Sequence, residues 1–301
     1  MRDLMVADQH QGRRSRPRGG FFWSRTPVRR AGTFWNASLL PLAAFLAIAI
    51  PARWLFPSDP ASQELVGRLA PPVMFGGDWV HPLGTDGLGR DILARIASGA
   101  GLSLSVGLLA AVASAAIGIT VGMLAGSLGG IVDVVATLIG ELGLAIPTVA
   151  AGIVLTATLG QSLPNLLGIL IFTGWISFAR IIRLQCRQLV RSEFVQASYA
   201  IGADWPWVTV KHLLPNIRAI AIVLLCQQIA AVMLWEASLT YLGLGLPIER
   251  ISLGGMIKDG QVQIYVAWWV SLFPGIAIAL AVVGFNLAAD RFQTAFDAAI
   301  R

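Results

Sequence analysis

The chain has 301 residues, of which 56% are hydrophobic and only 13% are charged, and its mean hydropathy is +0.72. Ordinary soluble domains carry about 25% charged residues. The composition therefore excludes a soluble globular domain and predicts an all-α membrane protein with several spans. The formal net charge is +6, and its main source is a cluster of arginines before the first apolar run.

Residues 1–33 contain this cluster. Its members are Arg13, Arg14, Arg16, Arg18, Arg25, Arg29 and Arg30. No small-residue cleavage site follows the apolar run, so the segment is not typical of a cleavable signal peptide. Because a membrane span comes directly after it, we interpret it as a cytosolic tail rather than as an arm that binds nucleic acid.

Six apolar segments are long enough to cross a bilayer, which takes about 20 helical residues. They cover approximately residues 34–56, 101–127, 131–159, 163–182, 217–245 and 267–289. Lysine and arginine collect in the N-terminal tail and around the connection between the fourth and fifth segments, whereas the connection at 57–100 has more acids than bases. Because basic residues favour the cytosolic side, we expect cytosolic termini, an extracytoplasmic loop at 57–100 and a cytosolic loop at 193–215.

The outward loop contains the sequence GTDGLGRD at residues 84–91. It lacks the third glycine and the preceding strand of a dinucleotide-binding fingerprint, so we exclude that function. Asp91 is suited to cap a helix and to pair with Arg95 one turn later. Asp86, Arg90 and Asp91 have two open roles: a purely structural one, and the docking of an extracytoplasmic partner, which is implied by the family resemblance described below.

Three glycines recur at four-residue spacing on the second segment, namely Gly118, Gly122 and Gly126. Small residues at this spacing let two helix backbones approach closely. The pattern predicts a tightly packed helix pair, although glycine is also simply frequent in membrane helices.

Glu141 and Glu236 lie within or at the edge of apolar segments, where a carboxylate is costly. Two interpretations stay open for each: contact with a solute path or gate, or a buried structural hydrogen bond. The three histidines and two cysteines show no metal-ligand spacing, so we predict neither a metal site nor a catalytic centre.

The cytosolic loop EFVQASYAIGADWPWVTVKHLLP interrupts the apolar chain with charges, two tryptophans, a glycine and two prolines. Its pattern predicts a short helix that ends at Gly202, where a left-handed residue is needed. The apolar face of this helix is expected to contain Phe194, Ala197, Ser198 and Ile201. Asp204 can cap a second helix that ends before Pro215.

Three roles compete for this helix pair. A DNA-binding helix-turn-helix is disfavoured because both ends are tied to membrane spans. A passive amphipathic helix at the membrane surface and a docking site for a cytosolic partner remain nearly equal. Trp205 and Trp207 favour docking modestly, because tryptophan is enriched at interface anchors.

The loop resembles the cytoplasmic coupling loop of permease subunits of binding-protein-dependent ABC importers. In that family Glu-Ala-Ala, three residues, Gly, nine residues, Ile, one residue and Leu-Pro follow one another. The matching positions here are Gln196, Ala197, Ser198, Gly202, His212, Leu214 and Pro215. Gln, Ser and His depart from the general pattern, and His is usual in the peptide branch.

Three further stretches resemble the C-type permease of dipeptide, oligopeptide and nickel importers, so that the similarity covers about residues 34–297. They are HPLGTDGLGRDILARIASGAGLSLSVG, EASLTYLGLG and FPGIAIALAVVGFNLAADRF. Departures are Gly101, Leu253 and the absence of a terminal Asp-Pro. The resemblance implies a type I importer permease fold with six transmembrane helices and a cytoplasmic coupling helix, in the bacterial inner membrane. The permease core would cover residues 101–290, followed by a cytosolic tail at 291–301.

The resemblance also implies partners. These are a homologous second permease, usually in a heterodimer, two ATPase subunits that hold the coupling loops, and an extracytoplasmic solute-binding protein. The coupling site would consist of Gln196, Ala197, Ser198, Gly202, Leu214 and Pro215. The solute would be a dipeptide or oligopeptide, with a nickel chelate or glutathione as alternatives.

The sequence contains no GxxxxGK[ST] phosphate loop. We therefore expect no ATPase site and no cofactor in this chain, with ATP and Mg²⁺ bound by the partner subunits. A stand-alone secondary transporter would instead show inverted repeats, interrupted helices and ionisable networks inside the membrane, and the sequence indicates none of these. An intramembrane enzyme would need a nucleophile with a base, or metal ligands, within the spans.

Overall fold

A computed structural model of the chain describes residues 38–50, 59–247 and 249–300. Over these ranges the chain is helical, with one isolated bridge between Thr85 and Asp91. The α-helices are α1 (Leu40–Ala49), α2 (Ile92–Leu128), α3 (Gly130–Ala145), α4 (Thr148–Leu159), α5 (Leu163–Val190), α6 (Glu193–Ala200), α7 (Trp205–Val208), α8 (Leu214–Tyr241), α9 (Leu253–Gln261) and α10 (Trp269–Ile300). The predicted tail at 1–33 and the flanks of the first apolar segment lie outside the described residues.

Several helices are long and apolar enough to cross a membrane. They are α2, α5, α10 and the continuous helical run Trp205–Tyr241. Helices α3 and α4 meet the same criterion together, as one span bent by 79°. The apolar helix α1 has ten residues, so the described chain contains up to five of the six predicted spans at full length.

The helices extend beyond the apolar segments that predicted them. Helix α2 begins at Ile92, inside the predicted outer loop, because Asp91 Oδ1 accepts a hydrogen bond from the N–H of Ala94 at 2.7 Å and caps the first turn. Helix α5 continues to Val190, and α10 continues into the predicted tail at 291–301. Hydropathy detects the part of a helix that suits hydrocarbon, and a helix can be longer than that part.

Helices α2 and α5 pack backbone to backbone along the three glycines. A Cβ atom on Gly122 would lie 2.7 Å from the carbonyl oxygen of Ala179, and one on Gly126 would lie 2.5 Å from that of Arg183. Gly118 faces Phe178 in the same way. Contacts this short leave no room for any side chain, so the predicted close packing is confirmed, and its partner is α5.

The predicted continuous span at 131–159 is wrong, because the helix breaks in its middle. Helix α3 ends at Ala145, Ile146 has an extended backbone (φ −92°, ψ 115°), and Pro147 starts α4. Proline has no N–H to donate to the preceding turn, and its ring disfavours the helical conformation of the residue before it. The chain therefore turns by 79° between the two helices.

The second helix of the loop at 193–215 was predicted to end before Pro215, and this prediction is wrong. It continues through a π-helical turn, Thr209–Leu213, into α8, and Pro215 lies in the first turn of α8. The N–H of Leu214 donates to the carbonyl of Thr209. A helix tolerates proline in its first turn, so this proline does not stop the run.

A buried apolar core joins α1, α2, α8, α9 and α10. Phe45 of α1, Met233 of α8 and Ile278 of α10 belong to it. Helix α1 approaches α10 closely at Gly284, where a Cβ atom would lie 2.6 Å from the backbone nitrogen of Leu42. This core fixes α8 between the cytosolic loop and the outer segment that contains α9.

Candidate coupling site and solute path

The loop at 193–215, which the sequence places on the cytosolic side, forms two short helices around Gly202, as predicted. Helix α6 ends at Ala200, and Gly202 has φ +93°, a left-handed conformation that glycine adopts at low cost. Asp204 Oδ1 accepts a hydrogen bond from the N–H of Trp207 at 3.1 Å and caps the second helix. Pro206 lies in the first turn of that helix, where it displaces no hydrogen bond.

Helix α6 directs most of its predicted apolar face to solvent. Val195 and Ser198 are buried, whereas Phe194 is 47% exposed and Ile201 is 86% exposed. Ala197 is exposed as well. The helix contacts the spans through Val195, so three of the four side chains of the predicted apolar face stay accessible to a partner or a membrane surface.

Hydrogen bonds and buried side chains fasten the loop to the spans. Trp205 Nε1 donates to Ser127 Oγ, in the last turn of α2, at 3.0 Å. Gln196 Nε2 donates to the carbonyl of Val190, in the last turn of α5, at 2.6 Å. Val195 also packs in a buried cluster with residues of α2, α5 and α8. The loop is therefore attached to the inner ends of several helices.

His212 occupies the centre of the loop. Its Nε2 lies 3.0 Å from Ser198 Oγ, and the hydroxyl of Ser198 donates to the carbonyl of Phe194 at 2.8 Å. Because the hydroxyl has one hydrogen, Nε2–H of His212 is the donor in the first contact. The ring contacts Phe194 and Trp207 edge to face, with centroids 5.6 and 5.2 Å away. Among the other proposed coupling residues, Leu214 and Pro215 are exposed.

The outer loop contains a compact charge cluster. Asp86 is 3% exposed, its Oδ2 accepts from Arg90 Nε at 2.6 Å, and its Oδ1 accepts from the N–H groups of Leu88 and Arg90. Arg95 lies 3.6 Å from Asp86 and also 3.6 Å from Asp259 of α9. These contacts join the outer loop to α2 and α9, so Asp86 acts within the fold.

Asp91 caps α2, as predicted, but the side chain that its carboxylate contacts is His81 rather than Arg95. His81 Nδ1 and Asp91 Oδ2 lie 2.8 Å apart. The predicted Asp91–Arg95 pair is wrong because Asp86 and Asp259 already flank Arg95. Asp86 and Asp91 thus direct their carboxylates to partners in the outer loop and at the start of α2, and the guanidinium of Arg90 donates to Asp86.

The two intramembrane glutamates have different surroundings. Glu236 is 0% exposed, and it accepts hydrogen bonds from Ser103 Oγ at 2.7 Å and from Thr240 Oγ1 at 3.1 Å. Glu141 is exposed on α3 and lines a cleft of about 550 Å³ together with Arg180 and Arg183. Glu236 therefore has the geometry of a structural hydrogen bond, and Glu141 that of a group facing open space.

A carboxylate that the sequence analysis did not select links α3 to α5. Asp133 is 6% exposed, and both of its oxygens contact Arg183, with Oδ2 also 2.5 Å from Arg187 Nη2. The signal was present in the sequence, as a single acid at the start of an apolar segment and two arginines four residues apart on another. Pairing them required knowing that the two inner ends meet.

Two clefts flank the break at Ile146–Pro147. The break cleft, of about 1020 Å³, lies between α3, α4, α5 and α8, and its polar lining is Thr148, Thr173, Ser177, Gln228 and the indole of Trp235. The apolar cleft, of about 1000 Å³, lies between α4 and α5 and is lined only by apolar residues and glycine, including Val154 and Phe172.

The family described as "Binding-protein-dependent transport system inner membrane component" matches residues 118–301. The chain belongs to this family. The oligopeptide transport system permease protein OppC of Bacillus subtilis (strain 168) is 32% identical over 280 residues, which cover 93% of this chain and 90% of the relative. The dipeptide transport system permease protein DppC of the same strain is 35% identical over 266 residues, covering 88% and 82%. OppC of Haemophilus influenzae is 32% identical over 264 residues, covering 87% and 83%.

Membership confirms the resemblance first seen in the coupling loop and in the three further stretches. Together with the helical architecture, it confirms the predicted fold class, an all-α type I permease. The chain is a multi-pass membrane component of a binding-protein-dependent transport system. Roles of individual residues in coupling, gating and docking stay predictions.

Proposed function

We propose that the chain is one of two homologous permease subunits of an ABC importer for dipeptides or oligopeptides. The observation that carries this proposal is the helix pair α6–α7, which is fastened to α2 and α5 and presents apolar side chains to solvent. The relatives with the names quoted above support the choice of solute class. ATP hydrolysis in partner subunits would drive transport.

The exposed apolar side chains favour a protein partner over a membrane surface. Phe194 is 47% exposed, Ile201 86% and Trp207 45%. Helix α2 has 37 residues and is about 55 Å long, whereas the hydrocarbon core is about 30 Å thick. Since the loop is bonded to Ser127 in the last turn of α2, the length of α2 is enough to hold the loop beyond the hydrocarbon.

The ATPase subunits would bind ATP and Mg²⁺, because this chain has no phosphate loop. We assign the coupling contact to the segment with Gln196, Ala197, Ser198 and Gly202, and to Leu214 and Pro215 at the start of α8. Movement of the partner would be transmitted through the continuous run from Trp205 to Tyr241. Such a run behaves as one lever, and its outer end carries Glu236.

The remaining assignments concern topology and partners. The inner position of the coupling loop, together with the basic tail, supports cytosolic termini in a bacterial inner membrane. A second, homologous permease would complete a heterodimer, and a binding protein would dock on the outer loop. There Asp86 and Asp91 would hold the loop in shape, Arg90 would be a contact, and Glu141 would face the path or its gate.

The test of the transport function is reconstitution in liposomes. The chain, its partner permease, the ATPases and the binding protein should import radiolabelled trialanine only with ATP and Mg²⁺. Nickel–histidine and glutathione supplied in the same assay address the two alternative solutes. Uptake by this chain alone, driven by an ion gradient without ATPase subunits, would contradict the proposal and favour a secondary transporter.

The test of the coupling site is Gly202→Val. A Cβ atom at Gly202 would have open space around it, so only the φ of +93° opposes the substitution. We expect ATPase activity to persist while transport per ATP falls severalfold. Ala200→Val, two residues earlier on an exposed position of α6, is the matched control and should transport normally. Equal coupling in both variants would contradict the role of the turn.

A further inference from the structure

The break at Ile146–Pro147 leaves backbone groups without partners in the middle of the membrane. Within the described chain, no donor reaches the carbonyls of residues 144–146, and no acceptor outside α4 reaches the N–H groups of residues 148–150. The neighbouring Gly143 faces Ile176, which is about 20 Å along α5 from each end of that helix. The break is therefore near the middle of the membrane, at the greatest distance from water on either side.

Free backbone groups at this depth are tolerated only if they are buried in protein or line a water-filled cavity, since hydrocarbon offers no hydrogen bonds. The two clefts beside the break differ in this respect. The apolar cleft supplies no polar side chain. The break cleft supplies the hydroxyls of Thr148, Thr173 and Ser177 and the amide of Gln228, so it is the side on which water and a polar solute are stable.

The polar groups of the break cleft come from three helices and point to a shared use. In the described chain, Ser177 and Gln228 have no hydrogen-bond partner for their side chains. Gln228 Nε2 lies beside Gly174, where a Cβ atom would be only 2.5 Å from it. A larger residue at Gly174 would displace the amide, so glycine at this position keeps Gln228 at the cleft.

We propose that the break cleft is this chain's part of the solute path, and that it binds the backbone amides of a passing peptide. The inference rests on the proposed function and names the chemistry of its site. The free carbonyls and N–H groups at the break, with Thr148, Ser177 and Gln228, provide the acceptors and donors that a peptide backbone requires.

The charge of the break cleft decides between solute classes. None of the residues that line it is ionisable. A strongly anionic solute calls for arginine or lysine, which this lining lacks. A neutral lining with amide and hydroxyl groups instead recognises the part common to all peptides, and leaves side chains of either charge without a specific penalty.

Thiol labelling tests the path without depending on the solute. In the assembled complex, with Cys186→Ala and Cys226→Ala as background, Ser177→Cys should react with a charged, membrane-impermeant methanethiosulfonate reagent. Phe172→Cys, also exposed in this chain but in the apolar cleft, is the matched control. We expect Ser177→Cys to react at least about tenfold faster, either without nucleotide or with ATP and vanadate. If Ser177→Cys and Phe172→Cys react at equal rates, both without nucleotide and with ATP and vanadate, the inference is overturned.

Uptake of radiolabelled trialanine tests the amide contact. Gln228→Leu should lower uptake about fivefold, the effect of losing roughly one hydrogen bond, with ATPase stimulation retained. Gln227→Leu, on the adjacent exposed position, should leave uptake unchanged, and a Gln228→Leu variant with full uptake would overturn the assigned contact.

The two experiments separate this inference from the proposed function. If the wild-type complex imports trialanine while Ser177→Cys reacts no faster than Phe172→Cys, the path is overturned and the importer stands. If Ser177→Cys reacts rapidly but the wild-type complex imports a nickel chelate and no peptide, the cleft is a path and its recognition of peptide amides is overturned.

Discussion

Helix α5 has two sides that are packed in opposite ways. On one side it meets α2 with backbone against backbone, at Gly118, Gly122 and Gly126. On the other side it meets α3 and α4, and three clefts of about 550, 1020 and 1000 Å³ lie along that contact. The bent pair α3–α4 is held there mainly at its two ends.

The polar contacts of the bent pair α3–α4 are concentrated at those ends. At the inner end Asp133 pairs with Arg183 and Arg187. At the outer end Thr156 Oγ1 donates to the carbonyl of Leu244 at 2.9 Å, and Asn165 Nδ2 donates to the last carbonyls of α4. The difference indicates that α2 and α5 form a rigid frame. The middle of the bent pair α3–α4, with its break, is the part that can rearrange around a solute.

The largest effect is expected on the tight side of α5. Gly122→Val would place side-chain atoms against the carbonyl of Ala179 and should lower the free energy of unfolding by about 3 kcal/mol. Gly168→Val is the control, since a Cβ atom there would meet nothing within 4 Å. The measurement is SDS-induced unfolding of the full chain in bicelles, followed by tryptophan fluorescence. Similar midpoints for the two variants would contradict the account of a rigid frame.

Local sequence patterns predicted the tight side but not the break. The four-residue spacing of three glycines shows close packing whatever the partner, because nothing larger fits such a contact. Proline gave no such clear signal. Pro147 ends α3, Pro215 lies in the first turn of α8, and Pro274 lies inside α10 without ending it. All three follow apolar residues, so only the surrounding helices decide which proline breaks a span.

Contacts between distant residues were the least predictable part of the site. Arg95 was matched with Asp91 because they are four residues apart, yet its partners are Asp86 and, from α9, Asp259. Local spacing identified the apolar face of α6 but not that most of this face is exposed to solvent, since periodicity does not say what covers a face. An interrupted helix had been expected of a secondary transporter, and its presence here shows that this feature does not distinguish the two transporter classes.

An intermediate effect is expected at the inner end of the bent pair α3–α4. Asp133→Asn removes the charge that both Arg183 and Arg187 contact, and should lower the free energy of unfolding by about 1 to 3 kcal/mol. Arg187 is partly exposed, so solvent moderates the loss. The control is Asp78→Asn in the exposed outer loop. If the two variants have the same free energy of unfolding, Asp133 does not fasten α3 to α5.

The smallest effect is expected at the outer end, and it separates fastening from helix stability. Thr156→Val loses the hydrogen bond from α4 to the carbonyl of Leu244, a loss of about 0.5 to 1.5 kcal/mol. Thr158→Val, two residues later, loses only bonds to carbonyls of its own helix, at Val154 and Leu155. Both substitutions keep a β-branched side chain, so their helix propensities stay similar. We expect Thr156→Val alone to speed hydrogen exchange at the N–H of Ala151, which donates to the carbonyl of Pro147, because an unfastened end lets α4 open more often. Faster exchange in Thr158→Val as well would mean that α4 opens because its own helical turns are weakened, rather than because it has lost its contact with the carbonyl of Leu244.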